Sequence, residues 1–201
     1  MRRAIATLLL LAAPAAAAQD FDYWLLALSW SPSWCATEGD GDDAQCAPDR
    51  DLGFVLHGLW PQYEEGWPEW CGTPHPDPSG RVTAAMTDVT GSPGLAMHAW
   101  RKHGACTGLA PSDYFALSRF AFERAPAPAL GARMTPAEVE AAFAKANPAL
   151  GPDDLVVTCR DGLLREVRVC LDFDLAPRRC GADVLASACR ARGPVALPEP
   201  P

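Results

Sequence analysis

An α+β fold is what this chain's sequence predicts, and three observations predict it. Apolar, aromatic-rich runs at Phe21 to Trp30 and Leu52 to Trp60 read as strands, and a later pair reads as a hairpin. Between these runs lie segments with helical spacing and helix-start signals. Eight cysteines add covalent staples. At 201 residues, one domain with a sizeable core is expected.

The first 18 residues stand apart from that domain. Arg2 and Arg3 precede an apolar run from Ala4 to Ala13, and Ala16-Ala17-Ala18 supplies a small-residue cleavage pattern. This is the pattern of a secretory signal peptide, with the domain starting near Gln19. A membrane anchor is the competing reading, but the run is short and Pro14 breaks it. Exported location, secreted or periplasmic, follows, and so do disulfides.

The run Phe21 to Trp30 is a buried strand that Ser31-Pro32-Ser33 ends. Cys35 to Arg50 is acidic and glycine-rich, a surface loop. Leu52 to Trp60 is the second strand, with His57 near its end. Gln62 to Val82 is rich in Pro, Gly and Trp and reads as a long binding loop. Leu95 to His103 is a helix, with His98 and Lys102 on one face and His103 one step round. Ser112 to Arg124 is another helix, capped by Ser112 or Asp113. Thr135-Pro136-Ala137-Glu138 is a capping box with proline at the first helical position, opening a helix to about Ala146. Leu155 to Arg160 and Leu164 to Phe173 are strands joined at Asp161-Gly162. From Gly193 to Pro201 a proline-rich, poorly ordered tail is expected after a domain spanning 19–192.

Without Arg2 and Arg3, 15 basic residues stand against 25 acidic ones, a formal charge of −10. Non-specific binding to polyanions is not expected of such a chain. A nucleic-acid substrate would need positive charge focused in a cleft, and Arg101, Lys102 and protonated histidines are the candidates.

Groups able to move protons near neutral pH are concentrated. Three of four histidines, His57, His98 and His103, and one of two lysines, Lys102, lie in two short segments. Two histidines on facing elements can bracket a phosphodiester, one taking a proton from the attacking hydroxyl and one giving a proton to the leaving oxygen. A lysine beside them offsets charge on the non-bridging oxygens. RNA supplies its own 2′-hydroxyl as nucleophile, so this chemistry needs no metal and DNA cannot undergo it. Zinc is the competing reading for His98, His103 and Cys106, but no Cys-x-x-Cys pair completes a ligand set.

The two segments, FVLHGLWPQ around His57 and HAWRKHGAC from His98 to Cys106, resemble the paired active-site segments of the ribonuclease T2 family. FDYWLLALSWSPSWC resembles that family's N-terminal strand and first cysteine, and Cys159 with REVRVCLD its C-terminal strand pair. The resemblance covers most of residues 20 to 190. It implies a central antiparallel sheet with packed helices, stapled by disulfides. It also implies a metal-independent endoribonuclease acting on single-stranded RNA, through a 2′,3′-cyclic phosphate to 3′-phosphate ends. No cofactor, DNA or membrane partner is implied, and a monomer is expected.

Carried over residue by residue, the resemblance casts His103 as base and His57 as acid. Lys102 would stabilise the phosphorane and His98 would bind the phosphate. Trp60 and Gln62 match positions near the base pocket, and Trp67 and Trp70 follow on the loop as further stacking candidates. Eight cysteines leave about a hundred pairings open by sequence alone. The resemblance implies Cys35–Cys46, Cys71–Cys106, Cys159–Cys189 and Cys170–Cys180.

One departure matters. The family's second segment runs His-Glu-Trp-x-Lys-His-Gly-Thr-Cys, and here Ala99 stands at the glutamate and Ala105 at the threonine. Loss of one stabilising contact of this kind typically costs about 10²–10³ in rate unless replaced. The alternative to an active enzyme is therefore a weakened or inactive RNA-binding relative. Ala99→Glu is expected to raise turnover on RNA or leave it unchanged; a large fall in kcat would mean the site is built around alanine.

Overall fold

The computed structural model describes residues 20–39 and 44–200. The signal-peptide reading of residues 1–18 lies outside the described residues. In chain order the elements are β1 (Tyr23–Trp30), α1 (Ser31–Thr37), β2 (Phe54–Gln62), α2 (Gly80–Ala84), α3 (Thr87–Thr90) and α4 (Pro93–Lys102). A 3₁₀ turn (Gly104–Thr107) leads to α5 (Pro111–Glu123), β3 (Arg133–Met134), α6 (Pro136–Ala146), β4 (Leu155–Arg160), β5 (Leu163–Leu171), α7 (Ala182–Ala186) and β6 (Val195–Ala196).

Strand β1 lies at the centre because it is apolar on both faces. It pairs antiparallel with β2 on one side and with β5 on the other, and β4 pairs antiparallel with the far edge of β5. Alternation then splits β1 between two layers. Trp24, Leu26 and Leu28 point into the large core, where Trp100 of α4, Tyr114 and Phe115 of α5, and Phe143 of α6 cover the sheet. Tyr23, Leu25 and Ala27 point to the opposite face, with Trp60, Val156 and the Cys170–Cys180 pair. That second face is only partly covered, and it carries the cleft.

Several expectations need correction. His57 is not near the end of its strand but inside β2, at a bulge. The segment after Trp30 does not simply end the strand. It turns at once into α1, with proline in the first turn. Helix α5 is capped by Ala110, without a side-chain hydrogen bond, rather than by Ser112 or Asp113. Helices α2, α3 and α7 and the short strands β3 and β6 carried too weak a periodic signal to be read. The capping box at Thr135 and Glu138 forms as expected. Asp161 and Gly162 both take positive φ, 52° and 78°, as a two-residue hairpin turn requires.

The tail expected from Gly193 is packed. Val195 is 1% and Leu197 3% exposed, β6 pairs antiparallel with β3 and parallel with Leu163 of β5, and Trp30 Nε1 donates to Pro198 O at 3.0 Å. Alternating apolar residues make this segment a short strand between β5 and β3 despite its prolines. The four disulfides join Cys35–Cys46, Cys71–Cys106, Cys159–Cys189 and Cys170–Cys180. Leu197→Ala should lower the unfolding free energy by about 2–4 kcal/mol in a urea titration, as expected for a buried leucine. A disordered tail would give no change.

Candidate active site

The bulge in β2 places the first histidine. Ala27 of β1 stands opposite Gly58, but its neighbour Leu28 stands opposite Leu56, so His57 has no partner across the ladder. An extra residue of this kind re-aims a side chain and shifts the alternation beyond it. Leu56 and Leu59 therefore both face the main core, while Trp60 faces the second layer with Ala27. Gly58 is needed here: a Cβ on it would lie 2.6 Å from Trp60 Nε1. The indole can thus fold back beside the strand.

The second histidine group comes from α4. Ser92 caps the helix by accepting from the Leu95 N–H at 3.1 Å, and Ala96, Ala99 and Trp100 bury its inner side. His98 and Lys102 lie on the outer side, as their spacing requires. His103 is already past the helix, at φ −122° and ψ −48°, so its ring turns inward and is only 4% exposed. Gly104 permits that turn, since a Cβ there would meet Trp100 at 2.7 Å and Tyr114 at 2.9 Å. The His103 ring stacks on Trp60, with centroids 4.6 Å apart, and the His57 ring meets the same indole edge-on at 5.1 Å.

These elements enclose a cleft of about 500 Å³ that brings together His57, Trp60, Gln62, His98, Lys102 and His103. Trp67 also lines it, while Trp70 stands against the His98 ring at 5.8 Å. Gln62 is 2% exposed, and its amide donates to Pro61 O at 3.0 Å, so it forms wall more than surface. Arg101 does not line the cleft; it is bound to Asp77 at 2.6 Å. The cations that line it are Lys102, Arg165 and Arg168, interleaved with the carboxylates of Glu38, Glu166 and Asp183; Arg165 pairs with Glu38 and Arg168 with Glu166. Cys106 is bridged to Cys71 and so cannot serve as the thiolate of a zinc site. That bridge contributes roughly 3–4 kcal/mol. It ties the loop after β2 to the end of α4, where Trp70 N–H also donates to Lys102 O at 2.8 Å.

Several charged cleft residues escaped sequence reasoning, Glu38, Arg165 and Asp183 among them. Glu166 and Arg168 on β5 face the cleft beside His57. Glu166 is 2% exposed; its Oε1 lies 2.6 Å from His57 Nδ1, and its Oε2 accepts from Arg168 Nη2 at 2.7 Å. The available signal was Glu166 and Arg168, opposite charges two apart in a strand whose only other charge is Arg165, which puts both on one face. Ala99, at the family's glutamate position, is 3% exposed and faces Gly58.

The electrostatics separate the groups. Burial, reinforced by positive charge at Lys102, His57 and His98, pushes His103 down to about 3. Partial desolvation, then His57 and Lys102, also lowers His98, although part of its ring reaches solvent. Burial opposes ionisation of Glu166, but hydrogen bonding to His57 and the charges of His57 and Arg168 outweigh it. Its carboxyl is held far below the usual carboxylate range. His103 is thus a neutral proton acceptor well into acid conditions, in a cleft that also holds the ionised Glu166 and its partner Arg168.

A partly open sheet face bearing three histidines and a lysine in one cleft makes an acid–base site of the kind that can act on a phosphodiester. The chain belongs to the Ribonuclease T2 family, whose model matches residues 21–180. Over 101 residues it is 45% identical to a ribonuclease of Aeromonas hydrophila, covering 50% of this chain and 45% of that protein. The chain spans about half the length of the curated relatives it matches. Its fold is similar to that of an RNase-related protein from Calystegia sepium, with TM-score 0.69 and 20% identity over 91% of this chain and all of that one. It is also similar to RNase NT, solved in complex with 5′-AMP, with TM-score 0.61 and 21% identity over 90% of this chain and all of that one.

The His103 shift has a consequence for stability. Its folded value near 3 lies below the ordinary 6.5. Above about pH 6.5 neither folded nor unfolded chain is protonated there, and below it only the unfolded chain takes up the proton. Stability is therefore lost as pH falls, by roughly 2 kcal/mol between pH 6.5 and 5 at 1.36 kcal/mol per unit. Urea unfolding at pH 7 and pH 5 should show this loss, and His103→Gln should show about 2 kcal/mol less of it. Equal losses in both proteins would mean that folded His103 titrates normally.

Proposed function

We propose that the protein is an exported, metal-independent endoribonuclease that cleaves single-stranded RNA by transphosphorylation. The observation that carries this reading is the cleft itself. It holds two histidines from different elements against one indole, one buried and neutral, with Lys102 and His98 alongside. Membership of the family and the ribonuclease relative support the same chemistry.

His103, neutral because it is buried among cations, takes the proton from the substrate's 2′-hydroxyl. The 2′-oxygen attacks phosphorus, and the negative charge of the phosphorane falls to Lys102, with His98 holding a non-bridging oxygen. His57, reaching the cleft from the bulge, gives a proton to the departing 5′-oxygen. The products are a 2′,3′-cyclic phosphate and a free 5′-hydroxyl. In the second stage the roles reverse: water adds to the cyclic phosphate and the 3′-phosphate forms. DNA has no 2′-hydroxyl and does not enter this path. Trp67, exposed at the cleft, is the surface on which a base can rest, with Trp60 and Gln62 closing the wall beneath it, and aromatic stacking there is worth about 1–3 kcal/mol per base.

The export part of the proposal rests on the N-terminal residue pattern and on four disulfides, which persist in oxidising compartments. No helix among the described residues is long and apolar enough to cross a membrane. The protein is proposed to act as a monomer, without cofactor. A binding-only relative remains the second reading, on the single observation of Ala99.

Cleavage of mixed RNA by the oxidised protein in EDTA decides between them. RNA should be cut to cyclic-phosphate ends while DNA stays intact, and His57→Ala should lose at least about 10²-fold in rate. Activity should persist at pH 5, where His103 is still neutral. An intact, fully bridged protein that cuts no RNA from acid to mildly alkaline pH would establish the binding-only reading.

A further inference from the structure

The proposed reaction makes no use of Glu166, yet this residue is the deeply buried carboxylate of the cleft. A carboxylate that is 2% exposed is costly by several kcal/mol unless partners surround it. Here the two oxygens are divided between two tasks. Oε2 accepts from Arg168 through Nε at 2.9 Å and Nη2 at 2.7 Å. Oε1 faces His57 Nδ1 at 2.6 Å and accepts from Ser29 Oγ at 3.3 Å. Since an ionised carboxylate only accepts, Nδ1 carries the hydrogen, and Nε2 is left for the cleft.

The sheet register builds this contact. Glu166 stands opposite Ser29 and Arg168 opposite Ala27, while Ala27 stands opposite Gly58 beside the bulged His57. All of them share the cleft face. A plain structural ion pair would be complete with Arg168 alone. The second oxygen instead meets the imidazole of a residue that the strand ladder leaves unpaired.

We propose that Glu166 is a positioning residue for His57. Anchored by Arg168, its carboxylate fixes the imidazole ring, directs Nε2–H at the leaving 5′-oxygen and stabilises the imidazolium that serves as acid. This inference rests on the reading of His57 as the general acid of a ribonuclease.

The test compares two substrates. One is a dinucleoside phosphate, whose alcohol must be protonated as it leaves. The other is uridine 3′-(4-nitrophenyl phosphate), whose phenolate leaves unprotonated. In Glu166→Gln, kcat for the dinucleoside phosphate should fall about 10²-fold or more, and kcat for the nitrophenyl ester less than about tenfold. Glu166→Asp keeps the charge next to Arg168 but withdraws it from His57, and its loss should fall between. Equal losses on both substrates would mean general damage, and no loss would mean no role; either overturns the proposal. Nitrogen-15 NMR of the His57 ring provides a readout that needs no turnover. Neutral His57 should carry its hydrogen on Nδ1 in the wild type and lose that preference in Glu166→Gln, and an unchanged tautomer overturns the proposal. Wild-type protein that cleaves neither substrate would refute the ribonuclease reading, and the tautomer would still decide whether Glu166 controls His57.

Discussion

One extra residue in β2 is the constraint on which the site depends. A regular ladder would send residues 56, 58 and 60 to one face and 57 and 59 to the other. The bulge at His57 lets Leu56 and Leu59 both enter the main core while His57 and Trp60 both reach the cleft. The core keeps two leucines that it needs under α4 and α5. The cleft gains an imidazole and the indole on which the second imidazole stacks. Both results follow from a backbone irregularity that interrupts the ladder at one residue.

The same geometry divides the charges. His103 is turned inward at the end of α4 and stays neutral, while His57 faces the ionised Glu166. Two chemically identical rings are thereby placed in opposite environments, a general way of separating acid and base in one site. The chain as a whole is acidic, but Lys102, Arg165 and Arg168 gather at the cleft. There they stand among the carboxylates of Glu38, Glu166 and Asp183, so the cleft balances the two signs where the rest of the chain is acidic.

Covalent links hold the two halves of the site in register. The Cys71–Cys106 bridge and the hydrogen bond from Trp70 N–H to Lys102 O fasten the loop after β2 to the end of α4. Trp70 takes a φ of 54° there, an unusual conformation for so large a side chain, and leaves its indole 58% exposed beside His98. The Cys170–Cys180 bridge fastens the segment before α7 to β5, on the same face of the strand as Glu166 and Arg168.

The sequence by itself determined the strong periodic elements and the inventory of the site. The aromatic run of β1, the capping box at Thr135 and the Asp161-Gly162 hairpin are local signals, set by side-chain alternation and turn chemistry within a few residues. The grouping of His57, His98, Lys102 and His103 was legible because rare proton-active residues cluster in two motifs, and family resemblance supplied their proposed roles. Tertiary structure decided what depends on register between distant strands. Nothing local in FVLHGLWPQ announces that His57 is bulged, because the bulge exists only against β1. Nor does REVRVC show that Glu166 meets His57, 109 positions earlier in the chain, rather than water. The ordered Val195–Pro198 segment was likewise hidden, since its prolines suggest disorder until β3, β5 and Trp30 supply partners. In each case the deciding energy is burial or hydrogen bonding across the sheet, and that is absent until the chain has folded.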